Sequence, residues 1–237
     1  MLPELRQHLF IGKKMSIEIL KEDDSVIICV KPAGILSTDE PGGLPELVRE
    51  TLKDPYADIK TVHRLDRVVS GLAVLARNSE TASTLGKQIM EGSFEKEYIA
   101  VVYGRPESSQ GTYTDLLLRD KKERKSYVVE KIDKGVQEAI LDYKVLQEAG
   151  NMTLVRIRLQ TGRTHQIRAQ FSSRGMPIVG DKKYSTIEDG CNIALWSCRL
   201  AFRHPETGER IDARLAPGSV YPWNLFSEIE EKIRYEF

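Results

Sequence analysis

Residues 139–147 and 152–159 flank the tetrapeptide EAGN, and no other stretch constrains the chain as tightly. Two β-prone runs separated by Gly150 and Asn151 specify a hairpin. Side chains alternate across a strand, so Val155, Ile157 and Leu159 share one face while Arg156 and Arg158 share the other. The second strand, TLVRIRL, then runs into TGRTHQIR. Thr164 is placed to cap a helix in which Ile167 and Phe171 point to the core and Gly175 is the stop. Arg163 precedes that helix and Arg168 lies within it. Strand, turn and helix thus meet where backbone donors and polar side chains converge.

The other elements agree with a mixed architecture. Ser25–Val30 (SVIICV) is a short β-branched run ended by KPAG. Leu44, Leu47, Val48 and Leu52 have helical spacing. GLAVLA (71–76) reads as a buried strand, followed by a helix with Ala82, Leu85 and Ile89 inward. Asn78 or Ser79 caps that helix and Gly92 ends it. EYIAVV (97–102) is a further strand, stopped by Gly104 and Pro106. With hairpins joining several strands and no internal repeat, the expected class is α+β, a mixed and largely antiparallel sheet in two packed halves around a cleft.

Composition removes several function classes. Of 237 residues, 41% are hydrophobic and 30% charged, which is enough apolar material for a packed core. Thirty-five Lys and Arg balance thirty-five Asp and Glu, so any nucleic-acid surface must be a local strip, not a bulk charge. Cys29, Cys191 and Cys198 form no CxxC pair, and His8, His63, His165 and His204 lie far apart, so neither a disulfide framework nor a metal site is indicated. No apolar run reaches the roughly 20 residues of a membrane span. The start, MLPELRQHLFIGKK, lacks a secretory core, and a cytoplasmic protein is expected.

Against this background the stretch HRLDR (63–67) needs explaining. An aspartate between arginines is ordinarily a solvated loop ion pair, worth little. The alternative is a nucleophile or base kept ionised by a cation. Four stretches bear on the choice: VIICVKPAGIL (27–36), HRLDRVVSG (63–71), FEKEYIAVVYG (94–104) and LQTGRTHQIRAQF (159–171). Together they resemble the RluA-type pseudouridine synthases, whose pattern runs KPAG, HRLD with SG, K-x-Y, then TGRTHQIR. GMPIVGDKKY (175–184) and LAFRHPETGERI (200–211) extend the likeness to about residues 17–222.

The resemblance implies an enzyme that isomerises chosen uridines of ribosomal or transfer RNA, without cofactor or metal. Asp66 matches the catalytic aspartate, acting as nucleophile or in forming an unsaturated sugar intermediate. Arg163 matches the residue that pairs with it, so an Asp66–Arg163 ion pair is expected; a guanidinium can bind both carboxylate oxygens and stays charged. Tyr98 matches the tyrosine that lies against the target base, where stacking suits a phenol better than proton abstraction. Ile167 packs beneath the base, and Arg64 corresponds to a residue that fills the gap left by the extruded nucleotide. His63, Arg67 and Arg168 complete the expected substrate-binding set, His63 and His165 being read also as structural hydrogen-bonders.

Two positions depart from the family pattern: Val69 stands where threonine is usual, and Trp196, read as core, where histidine is common. RDKKERKSY (119–127) carries five cations against two anions and is either a solvated hairpin face or a phosphate grip, as are Lys182 and Lys183. The expected organisation is a 1–16 extension and a 17–237 catalytic domain without an S4-type domain, acting as a monomer on structured RNA and not at a membrane. A rival reading keeps the scaffold as an RNA binder that has lost catalysis. A hydrolase would want a second positioned acid, and no comparable motif offers one.

Overall fold

The computed structural model describes residues 16–235, so the expected 1–16 extension lies, apart from Ser16, outside the described residues. The first half of the chain forms β1 (Ile19–Glu22), β2 (Val26–Lys31), α1 (Leu44–Leu52), β3 (Lys60–Thr61), β4 (Ser70–Ala76), α2 (Ser79–Met90) and β5 (Glu95–Tyr103). The long hairpins follow as β6 (Gln110–Asp120), β7 (Lys125–Val129), β8 (Val136–Ala149) and β9 (Met152–Leu159). Helix α3 (Gln166–Ser172), β10 (Leu195–Arg203), β11 (Arg210–Arg214) and α4 (Ile229–Tyr235) complete the chain.

Among the described residues all eleven strands belong to one sheet, ordered β1-β2-β4-β10-β5-β9-β8-β6-β7, with β3 on β4 and β11 on β10. The expected two halves are therefore parts of one continuous sheet. Every pairing is antiparallel except β4 with β10, which meet only at Trp196↔Ser70 and Ser197↔Gly71. This short parallel seam joins the halves. Gly71 makes it possible: at φ +115° it sits where side chains strain, and a Cβ there would lie 2.4 Å from the Ser197 carbonyl oxygen.

Burial explains why β2 and β4 read as unbroken apolar runs. Val26 and Ile28 of β2 join Leu72, Val74, Leu85 and the stacked Phe94–Phe202 pair on the α2 side. Ile27 and Cys29 join Ala73, Leu75, Leu44 and Val48 on the α1 side. A strand covered on both faces has no polar alternate positions. The larger core lies in the other half, where Tyr98, Val155, Ile157 and Leu195 pack against Ile167 and Phe171 of α3. Trp196, expected in the core, is half-buried against this cluster and donates from Nε1 to the Leu215 carbonyl at 2.8 Å.

The caps divide. Asn78 caps α2 as expected, accepting from the Thr81 N–H at 2.7 Å, and Gly92 follows at φ +75°. Thr164 does not cap α3. The N-cap is His165, held at φ +56° with no side-chain cap bond. Gln166 takes over instead: its Oε1 accepts from the Arg163 N–H and the Thr161 hydroxyl, both at 2.9 Å. That folds the TGR turn onto the helix start and pushes His165 into the left-handed region.

The seam yields a comparison of two glycines. Gly71→Ala should destabilise by more than about 2 kcal/mol, because backbone atoms of β10 block the methyl group. Gly150→Ala, at φ +60° with open space around it, should cost about 1 kcal/mol for the dihedral alone. Urea unfolding of both variants checks the order.

Candidate active site

Asp66 lies in the loop between β3 and β4, and the KPAG turn after β2 holds that loop in place. Lys31 is fully buried, with its ammonium donating to the carbonyls of Pro32 (2.9 Å), Ile35 (2.7 Å) and Arg67 (3.2 Å). Gly34 N–H also donates to the Arg67 carbonyl, and Arg67 Nε returns a bond to the Gly34 carbonyl, each at 2.8 Å. Ser37 both donates to the Leu65 carbonyl and accepts from the Leu65 N–H at 3.0 Å. The loop therefore cannot drift from the turn. Burial lowers the Lys31 pKa from 10.5 to about 8, with the Asp66 charge opposing that shift.

The cation that meets Asp66 comes from inside α3. Arg168 Nη1 donates to Asp66 Oδ2 at 3.0 Å, while Nε and Nη2 bind the two oxygens of Asp181 at 2.7 Å each. This corrects the expected Asp66–Arg163 pair. Arg163 instead sends Nε to the Glu138 carbonyl at 2.8 Å, because the Gln166 bond to its backbone turns it towards β8. Residues 166–171 of α3 are all buried, and a guanidinium within such a helix must have carboxylates around it. Burial works against the Arg168 charge, but hydrogen bonds and charge from Asp181 and Asp66 raise its pKa overall. Asp181, itself buried, is fixed further by the N–H groups of Lys183 (3.0 Å) and Tyr184 (3.3 Å). The Arg168 guanidinium also lies 5.0 Å from the centre of the Tyr184 ring.

Above this pair opens a cleft of about 660 Å³. Asp66, Tyr98, Arg163, Arg64, Ile167, His63 and Arg168 all line it. Arg67 does not. Its side chain is exposed and its Nε is spent on the KPAG turn. Tyr98 is buried, and burial followed by the Asp66 charge raises its pKa, so it is a neutral phenol at ordinary pH. Val69 contributes a buried apolar surface to the same wall.

Two histidines flank the carboxylate loop differently. His165 Nε2 lies 3.8 Å from Asp66 Oδ2 and its Nδ1 lies 3.0 Å from the Tyr184 hydroxyl. Burial lowers its pKa. His63 accepts the Val74 N–H through Nε2 at 3.1 Å, which leaves the proton on Nδ1. That Nδ1 is buried without a partner among the described residues. Burial, then the Lys96 charge, lower the His63 pKa from 6.5 to about 3.

The basic run at 119–127 forms the end of β6, a turn and the start of β7. Arg119 reaches the cleft and Lys125 lies over the Tyr184 ring at 4.8 Å. Lys183 is used to hold the turn, donating to the carbonyls of Glu123 and Arg124. Sequence reasoning assigned no site role to Lys31, Lys96 or Asp181, while Arg119 belongs to the 119–127 run already singled out as a possible phosphate grip. The readable signal was an arginine in an apolar helix with an aspartate in the following GDKKY.

The sequence matches the family described as RNA pseudouridylate synthase over residues 25–173, which takes in β2 to α3 and so the Asp66 loop, Tyr98 and Arg168. The chain belongs to this family, in its RluA-type branch. It is accordingly an isomerase of the RNA pseudouridine synthase class. An uncharacterized RNA pseudouridine synthase of Synechocystis is 31% identical over 98% of this chain and 75% of its own length. The dual-specificity RNA pseudouridine synthase RluA of Vibrio parahaemolyticus is 35% identical over 91% of this chain and 87% of its own. The fold is shared with human RNA pseudouridylate synthase domain containing 1, at a TM-score of 0.76 and 19% identity, covering 94% of this chain and 96% of that one.

Two outcomes follow from these contacts. Lys31→Met should cost about 2–4 kcal/mol in chemical unfolding, because the Pro32 and Ile35 carbonyls lose their donor while the Arg67 carbonyl keeps Gly34. His63 is neutral when folded but protonates when unfolded, so its contribution is complete above pH 6.5 and is lost as pH falls towards 3. Denaturation midpoints from pH 7 to 4 should therefore fall less steeply in His63→Gln than in the unaltered protein.

Proposed function

We propose that this enzyme converts specific uridines of ribosomal or transfer RNA to pseudouridine, with Asp66 as the nucleophile. Among its relatives are a ribosomal large subunit pseudouridine synthase C of Buchnera aphidicola, 34% identical, whose name supports a ribosomal target, and the dual-specificity RNA pseudouridine synthase of Vibrio, whose name supports more than one kind of target. The observation that carries the mechanism is the Arg168-held carboxylate at the wall of a nucleotide-sized cleft.

A base stacked in RNA hides its glycosidic bond, so the uridine must first leave the stack and enter the cleft. Arg168 occupies Asp66 Oδ2, while Oδ1 has no hydrogen-bond partner among the described residues and is the oxygen free to react. Oδ1 forms a bond to C1′ as the C1′–N1 bond breaks, and the uracil leaves carrying the electron pair. The freed uracil turns between Tyr98 and Ile167, which face it with an aromatic ring and an alkyl chain. C5 then bonds to C1′, Asp66 departs with its electrons, the proton on C5 is lost to solvent or a basic group, and N1 takes up a proton from solvent. Tyr98 acts as a stacking surface, since its phenol holds its proton. Arg168 orients the carboxylate through Oδ2, and Asp181 keeps Arg168 aimed. Arg64, Arg163 and Arg119 line the rim and supply cations for the phosphates on either side of the extruded nucleotide.

Mapping pseudouridine in cellular RNA with and without the gene tests the activity and finds the site. Asp66→Asn should fold and bind RNA yet lose at least about 10³-fold in turnover; normal product from the purified variant would end the assignment. Arg168→Met and Arg163→Met separate the two arginines. The first should lose both activity and about 3–5 kcal/mol of stability, since it strands two carboxylates. The second should weaken RNA binding with stability nearly unchanged. Equal losses of stability in both would contradict the geometry.

A further inference from the structure

Most charged groups near the cleft are already spoken for. Arg168 is shared by two aspartates, Lys31 by three carbonyls and Lys183 by two. Lys96 is different. It lies on β5 two residues before Tyr98, so both project from the same face of the strand, about 7 Å apart along it. Both line the cleft. Among the described residues Lys96 has neither an ion pair nor a hydrogen bond. Its ammonium rests against the TGR turn, where a Cβ on Gly162 would lie 3.8 Å from Nζ. Neighbouring strand positions do not reach it: Glu95 and Glu97 are held on the far face by Arg199, and Glu97 also by Arg156.

An ammonium largely removed from water and left without a counterion destabilises the free protein. Burial alone lowers its pKa, with no carboxylate opposing the shift as Asp66 does at Lys31. The same wall holds a second unused donor, the Nδ1–H of His63, close enough to Lys96 for the two to interact electrostatically. An anion is missing from this wall. Uracil carbonyls are neutral and would offset little of the desolvation of a full charge, whereas each RNA linkage carries a full negative charge.

We propose that Lys96 is a phosphodiester clamp: its ammonium, lying against Gly162, takes a backbone phosphate beside the uridine held at Tyr98. This rests on the reading of the cleft as the RNA site. The clamp fixes the extruded nucleotide from its sugar–phosphate side while the tyrosine meets its base. The charge is unpaired in the free protein because the substrate brings the partner.

The test uses the full-length enzyme and a stem–loop containing the mapped target uridine. Lys96→Met, Lys96→Arg and, for comparison, Lys87→Met on the exposed side of α2 are measured for melting temperature, kcat/KM and the salt dependence of RNA affinity. Lys96→Met should melt no lower than the unaltered enzyme, yet lose roughly 10- to 100-fold in kcat/KM. Its slope of log affinity against log salt should be shallower by about 0.7–0.9, the signature of one phosphate contact removed. Lys96→Arg should recover most of both. A Lys96→Met enzyme with unchanged slope overturns the clamp, including the case in which the lysine touches only uracil. A lower melting temperature overturns it too, since the ammonium would then have a partner within the protein. If the unaltered enzyme forms no pseudouridine in any RNA, the reading of the cleft fails first; if it does and Lys96→Met matches it, only the clamp fails.

Discussion

One guanidinium divides its donors between two carboxylates, and the organisation of the site depends on that division. Arg168 gives two nitrogens to Asp181 and one to Asp66. The bidentate side fixes the plane of the group, and the remaining nitrogen then points in one direction only. Asp181 is in turn held by backbone N–H groups of the segment after α3. The carboxylate at the cleft is thus oriented through three successive fixed groups before any substrate arrives. Such preorganisation is what a site that must exclude water requires.

The other side of the same carboxylate is a backbone problem. KPAG carries no group that reaches the cleft, yet its lysine and glycine, 36 and 33 residues before Arg67, tie down the loop that bears Asp66. A buried ammonium is an unusual fastener. Here it works because three carbonyl oxygens surround it and because the aspartate's own charge lies near. The turn and the loop therefore hold each other: one supplies carbonyls and a cation, the other a carbonyl and an anion.

What could be read from the chain alone followed from local rules. The hairpin at Gly150, the cap at Asn78, and the doubly buried strands β2 and β4 each announce themselves within ten residues. The position of Asp66 was legible from motif order. The identity of its partner was not, because Arg163 and Arg168 lie on the same short turn and helix, and which of them faces inward depends on Gln166. Gln166 bonds the Arg163 N–H and so takes the role expected of Thr164. Tertiary competition of that kind leaves no periodic trace. Arg67 shows the same limit: beside the aspartate in sequence, it turns away to serve the KPAG glycine.

The strand order also has a consequence for diversification. The seam at Gly71 and Ser197 lies near the middle of the sheet, and the long β6–β7–β8 excursion forms one margin. Lengthening, shortening or recharging the far end of that margin leaves the central register untouched. The same margin brings Arg119 into the cleft and gives the Glu138 carbonyl to Arg163, so a change there reshapes one wall of the cleft while the seam stays as it is.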